Sequence, residues 1–119
     1  LDVSNILVID DCKFIYLSHE DLNDVKENNI FIYRPISKTH GYLSPELKNT
    51  NSIPISMNYK TIYYSLGLLI LDNNINIKTD EEINILLDNE LKYIKDTKLY
   101  YFLKRCLCND PNKRFLLYV

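Results

Sequence analysis

The cysteines and histidines of this sequence, which could ligate a soft metal or act as nucleophiles, are few and scattered. Cys12, Cys106 and Cys108 are an odd number of cysteines with no C-x-x-C pair. That spacing signals neither a disulfide framework nor a zinc site. It fits buried or idle thiols in a reducing setting, so the chain is expected to be intracellular, in the cytoplasm. His19 and His40 have no partner at metal-ligand spacing. One carboxylate group is Glu20, Asp21, Asp24 and Glu27. On a short helix these four would share one face, open either to a hard divalent cation or to water, and solvation is the simpler reading.

The elements that must position these groups are legible in part. Asn5 to Ile9 and Lys13 to Leu17 are apolar runs around Asp10-Asp11, which predicts a β-hairpin. Ser18 and Asp21 stand three apart like a capping box, predicting a short helix or turn through about Glu27. Asn28 to Lys38 is expected to be irregular. Ser44 is a good N-cap and Pro45 suits the first helical position, so a short helix begins there. A loop over Asn49 to Ser56 follows, and Ser56 or Asn58 can cap a helix from about Tyr59 to Leu71. That helix is apolar almost all round, which predicts a central position with Leu66 and Ile70 buried. Gly67 inside it is expected to admit a close backbone. Thr79 to Glu82 forms a capping box for a helix through about Leu87. A last helix starts at Asp96 or Thr97 and runs to about Cys108, with Leu99, Phe102, Leu103, Cys106 and Leu107 facing the core. The expected fold class is mainly α with one short β-hairpin, in a single domain over residues 1–119.

The bulk numbers agree with one small soluble domain. The chain has 119 residues, 46% hydrophobic and 25% charged, with a formal charge of -2. No basic run supports nucleic-acid binding, and no apolar run is long enough to span a bilayer. A nucleic-acid or membrane partner is therefore not expected. The chain lacks Ala, Gln and Trp and is rich in Asn, Ile, Lys and Tyr. That bias blunts arguments from helix propensity.

Three stretches stand in a telling order: Gly41-Tyr42-Leu43-Ser44-Pro45-Glu46, then Tyr64-Ser65-Leu66-Gly67, then Cys106-Leu107-Cys108-Asn109-Asp110-Pro111-Asn112-Lys113-Arg114. This order resembles the C-terminal lobe of a eukaryotic protein kinase. The resemblance implies that Glu46 closes an activation segment and pairs with the buried Arg114, and that Gly67 lies in a central helix. The glycine-rich loop, the strand lysine and its helix glutamate are not in this sequence, and the resemblance places such an N-lobe upstream of Leu1.

The same resemblance tests the chemistry. Asn5 matches the family's magnesium-binding Asn. In one register Leu1 follows a catalytic Asp that is not in this sequence. In the other Asp2 is the catalytic base, with a loop to Asn5 two residues short. The family's next metal ligand is an Asp, but Leu17-Ser18-His19 stands there, and neither leucine nor serine supplies the anionic oxygen that magnesium prefers. Five residues before Gly67 the family has an Asp that orients the catalytic loop; here it is Ile62. Scaffold residues are kept and chemical ones replaced, the pattern of a pseudokinase that acts by binding a protein, such as another kinase. The resemblance leaves open a divergent active kinase using magnesium and ATP, and the residues leave open an unrelated helical interaction domain. A lobe lacking its N-terminal half is expected to associate through the face carrying the hairpin.

Overall fold

A computed structural model describes residues 3–18, 23–38, 42–72 and 90–116. A 3-10 turn at Val3–Asn5 leads into β1 (Ile6–Ile9), which pairs antiparallel with β2 (Lys13–Tyr16) in the register Ile6 with Tyr16 and Ile9 with Lys13. Asp10 and Asp11 turn the chain at φ 52 and 58, a left-handed conformation that Asp tolerates better than most residues. This is the expected hairpin.

The expectation of a mainly α fold with one hairpin is overturned by a second sheet. Strands β3 (Val25–Lys26), β4 (Asn29–Ile32) and β5 (Ile55–Asn58) form an antiparallel sheet in the order β3-β4-β5. The described residues therefore hold five strands in two sheets beside three α-helices. Val25 to Glu27 is strand and turn rather than helix, and Asn29–Ile32 is strand rather than irregular chain. The physical cause is the pair Glu27-Asn28, at φ 50 and 65, between the partners Lys26 and Asn29. Two residues in the left-handed region make the tight turn whose twist matches a hairpin. Ile30, Ile32 and Met57 then point to one face and pack with Leu43 and Leu47 into a buried cluster.

The helices carry the other half of the core. Helix α1 (Pro45–Lys48) starts as expected: Ser44 Oγ accepts from the Leu47 N–H and Pro45 takes the first position. Helix α2 (Thr61–Asp72) begins two residues after the anticipated start, because Asn58 Oδ1 accepts from the Lys60 N–H and holds Tyr59 and Lys60 in a turn. Its burial is a single stripe of Thr61, Tyr64, Ser65, Leu68 and Leu71 with Gly67 beside it. Leu66 and Ile70 are only half-buried and Ile62 is 44% exposed, contrary to the all-round burial that the apolar pattern suggested. Polar Thr61 and Ser65 hold the inner stripe because their hydroxyls find partners there.

Helix α3 (Lys98–Cys106) is capped by Thr97, whose Oγ1 accepts from the Tyr100 N–H at 3.3 Å. Leu103, Cys106 and Leu107 are buried as expected, Phe102 is half-buried, and Leu99 is exposed. Helices α2 and α3 meet through Tyr64, Leu68, Leu71, Tyr100, Leu103 and Leu107, joined by Leu91. Gly67 sits at their contact. A Cβ there would lie 3.0 Å from Cys106 Cβ and from Leu107 Cγ and Cδ2, so the close approach anticipated for Gly67 is real. The capping box at Thr79 to Glu82 lies outside the described residues.

Candidate functional site

The tightest polar constellation links the two cores. The capped start of α1 sets Glu46 in its first turn. At the other end of the chain, Asp110 Oδ1 accepts from the Asn112 N–H at 3.0 Å and opens a 3-10 turn over Pro111–Lys113. That turn delivers Arg114, which is fully buried. Its guanidinium meets the Glu46 carboxylate in a fork, Nη1 to Oε1 and Nη2 to Oε2, the latter at 3.0 Å. Nε donates to the Cys108 carbonyl at 2.6 Å, Nη1 to the Lys60 carbonyl at 3.4 Å, and Nη2 to the Asn109 carbonyl at 3.1 Å. All five guanidinium N–H groups thus have acceptors. The Tyr64 ring lies 4.8 Å from the Arg114 Cζ, within cation–π range.

Electrostatics favours the ionised pair. Burial pushes the Glu46 carboxyl up, but the hydrogen bond from Arg114, those from its own backbone and Thr61, and the Arg114 charge outweigh it, and the group ends below its ordinary 4.5. Around the pair, Ser44 and Thr61 share a buried hydroxyl–hydroxyl hydrogen bond, and Ser65 Oγ donates to the Thr61 carbonyl at 3.5 Å. The constellation ties α1, the start of α2 and the final segment together.

Chemically this is a clamp. With every guanidinium donor used, Arg114 has none left for a phosphate or carboxylate from outside. The neighbouring thiol is equally inert: burial raises Cys106 to about 11, against a small opposing pull from the Arg114 charge, so the nucleophilic thiolate is scarce at neutral pH. A shallow depression of about 250 Å³ lies beside α1, between Pro35, Ile36, Leu47 and Ile53. It falls below the ~300–1,000 Å³ of ordinary small-molecule sites.

The chain matches no protein-family model, no curated protein and no solved structure.

The structure thus brings Glu46 and Arg114 together across 68 residues of sequence and places Gly67 against the helix that leads to Arg114. Asn5 stands apart from the clamp. It ends the 3-10 turn before β1, half-buried, and its carbonyl accepts from the Leu17 N–H at 2.8 Å. Asp2 lies outside the described residues, as do Glu20 and Asp21 of the acidic group. Asp24 and Glu27 are exposed beside β3 rather than on a helix. Among the described residues no three His, Cys, Asp or Glu side chains gather as a metal site, and no helix is long and apolar enough to cross a membrane.

Sequence reasoning missed Ser44, Thr61 and Tyr64 as parts of the clamp. The available signal was a pair of hydroxyls, Thr61 and Ser65, four apart in an otherwise apolar helix. Such residues need partners when buried.

The other distinctive surface is the first hairpin. Leu7, Val8, Phe14, Ile15 and Leu17 are 46%, 50%, 72%, 43% and 57% exposed. Because successive side chains alternate across the ribbon, Val8 and Phe14 lie on one face and Leu7 and Ile15 on the other. Both faces are apolar and both are open.

Proposed function

We propose that this chain is a kinase-related scaffold that acts by binding a protein, without transferring phosphate, in the cytoplasm. The observation that carries the binding half is the two-faced apolar hairpin. Apolar side chains left open on both faces of one ribbon are a feature of interaction surfaces. The kinase relationship is supported by the fork between Glu46 and Arg114, which joins two of the three motifs in the order the resemblance requires.

The loss of chemistry is argued from residue types. Phosphoryl transfer depends on positioning and on metal-held charge neutralisation. Asn5, the one residue matched to a metal ligand within the described residues, is neutral. Leu17 and Ser18 stand where an anionic ligand is required. Ile62, where an Asp would orient the loop, is exposed at the outer side of α2. The partner is a protein, another kinase among the candidates.

Thermal-shift titration with ATP, with and without magnesium, tests this reading. The expected result is no magnesium-dependent rise in melting temperature. A rise that Asn5→Ala abolishes, together with phosphate transfer to any acceptor, would overturn it in favour of an active kinase.

A further inference from the structure

The edges of the two sheets are built differently. In the three-stranded sheet, edge strand β3 has two residues, one of them Lys26, and edge strand β5 carries Ser56 and Asn58 and follows Pro54. Short length, lysine, polar residues and a flanking proline are devices that keep an edge from pairing with another chain. Strand β1 has none of them. It reads Ile6-Leu7-Val8-Ile9, uncharged throughout, without proline or a bulge in its pairing to β2.

The hydrogen-bond phase shows what that edge offers. The Leu17 N–H donates to the Asn5 carbonyl. With the register, this makes Leu7 and Ile9 the positions of β1 that bond to β2, and turns the backbone groups of Ile6 and Val8 outward. A strand that pairs antiparallel with a copy of itself about a two-fold axis must present such groups symmetrically. Centred on Leu7, the pairing sets Leu7 against its copy and Ile6 against Val8, in both directions.

We infer that β1 is a homodimerisation edge, pairing antiparallel with β1 of a second copy to make a continuous four-stranded sheet. The inference rests on the protein-binding reading above and names the partner. Val3, Leu7, Val8, Ile9, Phe14, Ile15 and Leu17 are each 36% to 72% exposed, so neither face of the ribbon is covered. A two-stranded ribbon is marginal alone, whereas three or more strands with an apolar face are stable, and a second hairpin at the β1 edge supplies the missing strands. Charge agrees with the register. It places the two Asp10 residues six positions apart along the sheet, about 20 Å, beyond the ~8 Å screening length, so the acidic tips do not repel.

The test is sedimentation of the reduced protein from micromolar to millimolar concentration, alongside residue-resolved hydrogen exchange. The wild type is expected to reach twice the chain mass, with the Ile6 and Val8 amides gaining protection as the dimer fills. Val8→Pro removes an outward N–H without touching a β1–β2 bond. It should weaken the dimer on the order of 10–100-fold through the two symmetry-related hydrogen bonds lost. Val8→Lys is the second variant and should act alike by placing charge at the new contact. Continued protection of Cys106 from thiol reagents reports an intact fold in both. A wild type that stays monomeric at millimolar concentration, or a dimer indifferent to both variants, overturns the inference. Neither result bears on phosphoryl transfer, which the nucleotide titration reads separately.

Discussion

Removing one partner of the clamp is the most informative perturbation of the fold. Glu46→Ala leaves the fully buried Arg114 cation with three carbonyl acceptors and no counter-charge. Arg114→Ala leaves a carboxylate whose side chain is only 24% exposed, and strips the Cys108, Lys60 and Asn109 carbonyls of a donor. Breaking a buried pair by removing one partner costs about 3–5 kcal/mol. That is a large share of the ~5–15 kcal/mol total stability of an ordinary domain, and lowers the melting temperature by roughly 10–25 °C. The two losses share one interaction, so the double variant should fall well short of their sum. Acid should act in the same direction. The Glu46 carboxyl titrates below 4.5 in the folded state, so its contribution is complete above the unfolded value and lost as pH falls through the folded one. The gap between wild type and Glu46→Gln should therefore narrow under acid. Urea unfolding of the three alanine variants and of Glu46→Gln at several pH values measures all of this. Single variants within about 1 kcal/mol of wild type, or strictly additive losses, would refute the clamp as a stabilising element.

Three further outcomes follow from the packing. Gly67→Ala gains about 1 kcal/mol of helix propensity but forces a methyl against Cys106 and Leu107; overpacking at about 1–3 kcal/mol should leave it net destabilised in denaturant unfolding. Leu68→Ala should cost about 2–5 kcal/mol, and Leu66→Ala clearly less, because Leu68 is buried and Leu66 half-buried; equal losses in thermal unfolding would contradict the assigned helix phase. In a native thiol-labelling time course, exposed Cys12 should react readily and buried Cys106 only after denaturant is added.

Legibility followed the strength of local signals. Ser44-Pro45 and Thr97 announce helix starts because capping chemistry is local. The pairing of Glu46 with Arg114 is legible from motif order alone, since no local property of either residue points to the other. The second sheet was hidden because its turn is Glu27-Asn28 rather than an Asn-Gly type, and because Lys26, Asn29 and Asn58 break the apolar alternation. Leu66, Ile70 and Leu99 read as core only if apolar character is equated with burial. In α2 the inner stripe instead belongs partly to Thr61 and Ser65, whose hydroxyls are satisfied there, while Ile62 faces outward. Exposed apolar residues are common; buried polar ones are the more informative sign.

The proposed lack of phosphoryl transfer is tested most directly by a labelled-phosphate assay. The protein is incubated with ATP and either magnesium or manganese, and label is sought on the chain itself and on generic protein acceptors. The expected result is no incorporation above background and no difference between wild type and Asn5→Ala. Metal-dependent incorporation that Asn5→Ala removes would contradict it.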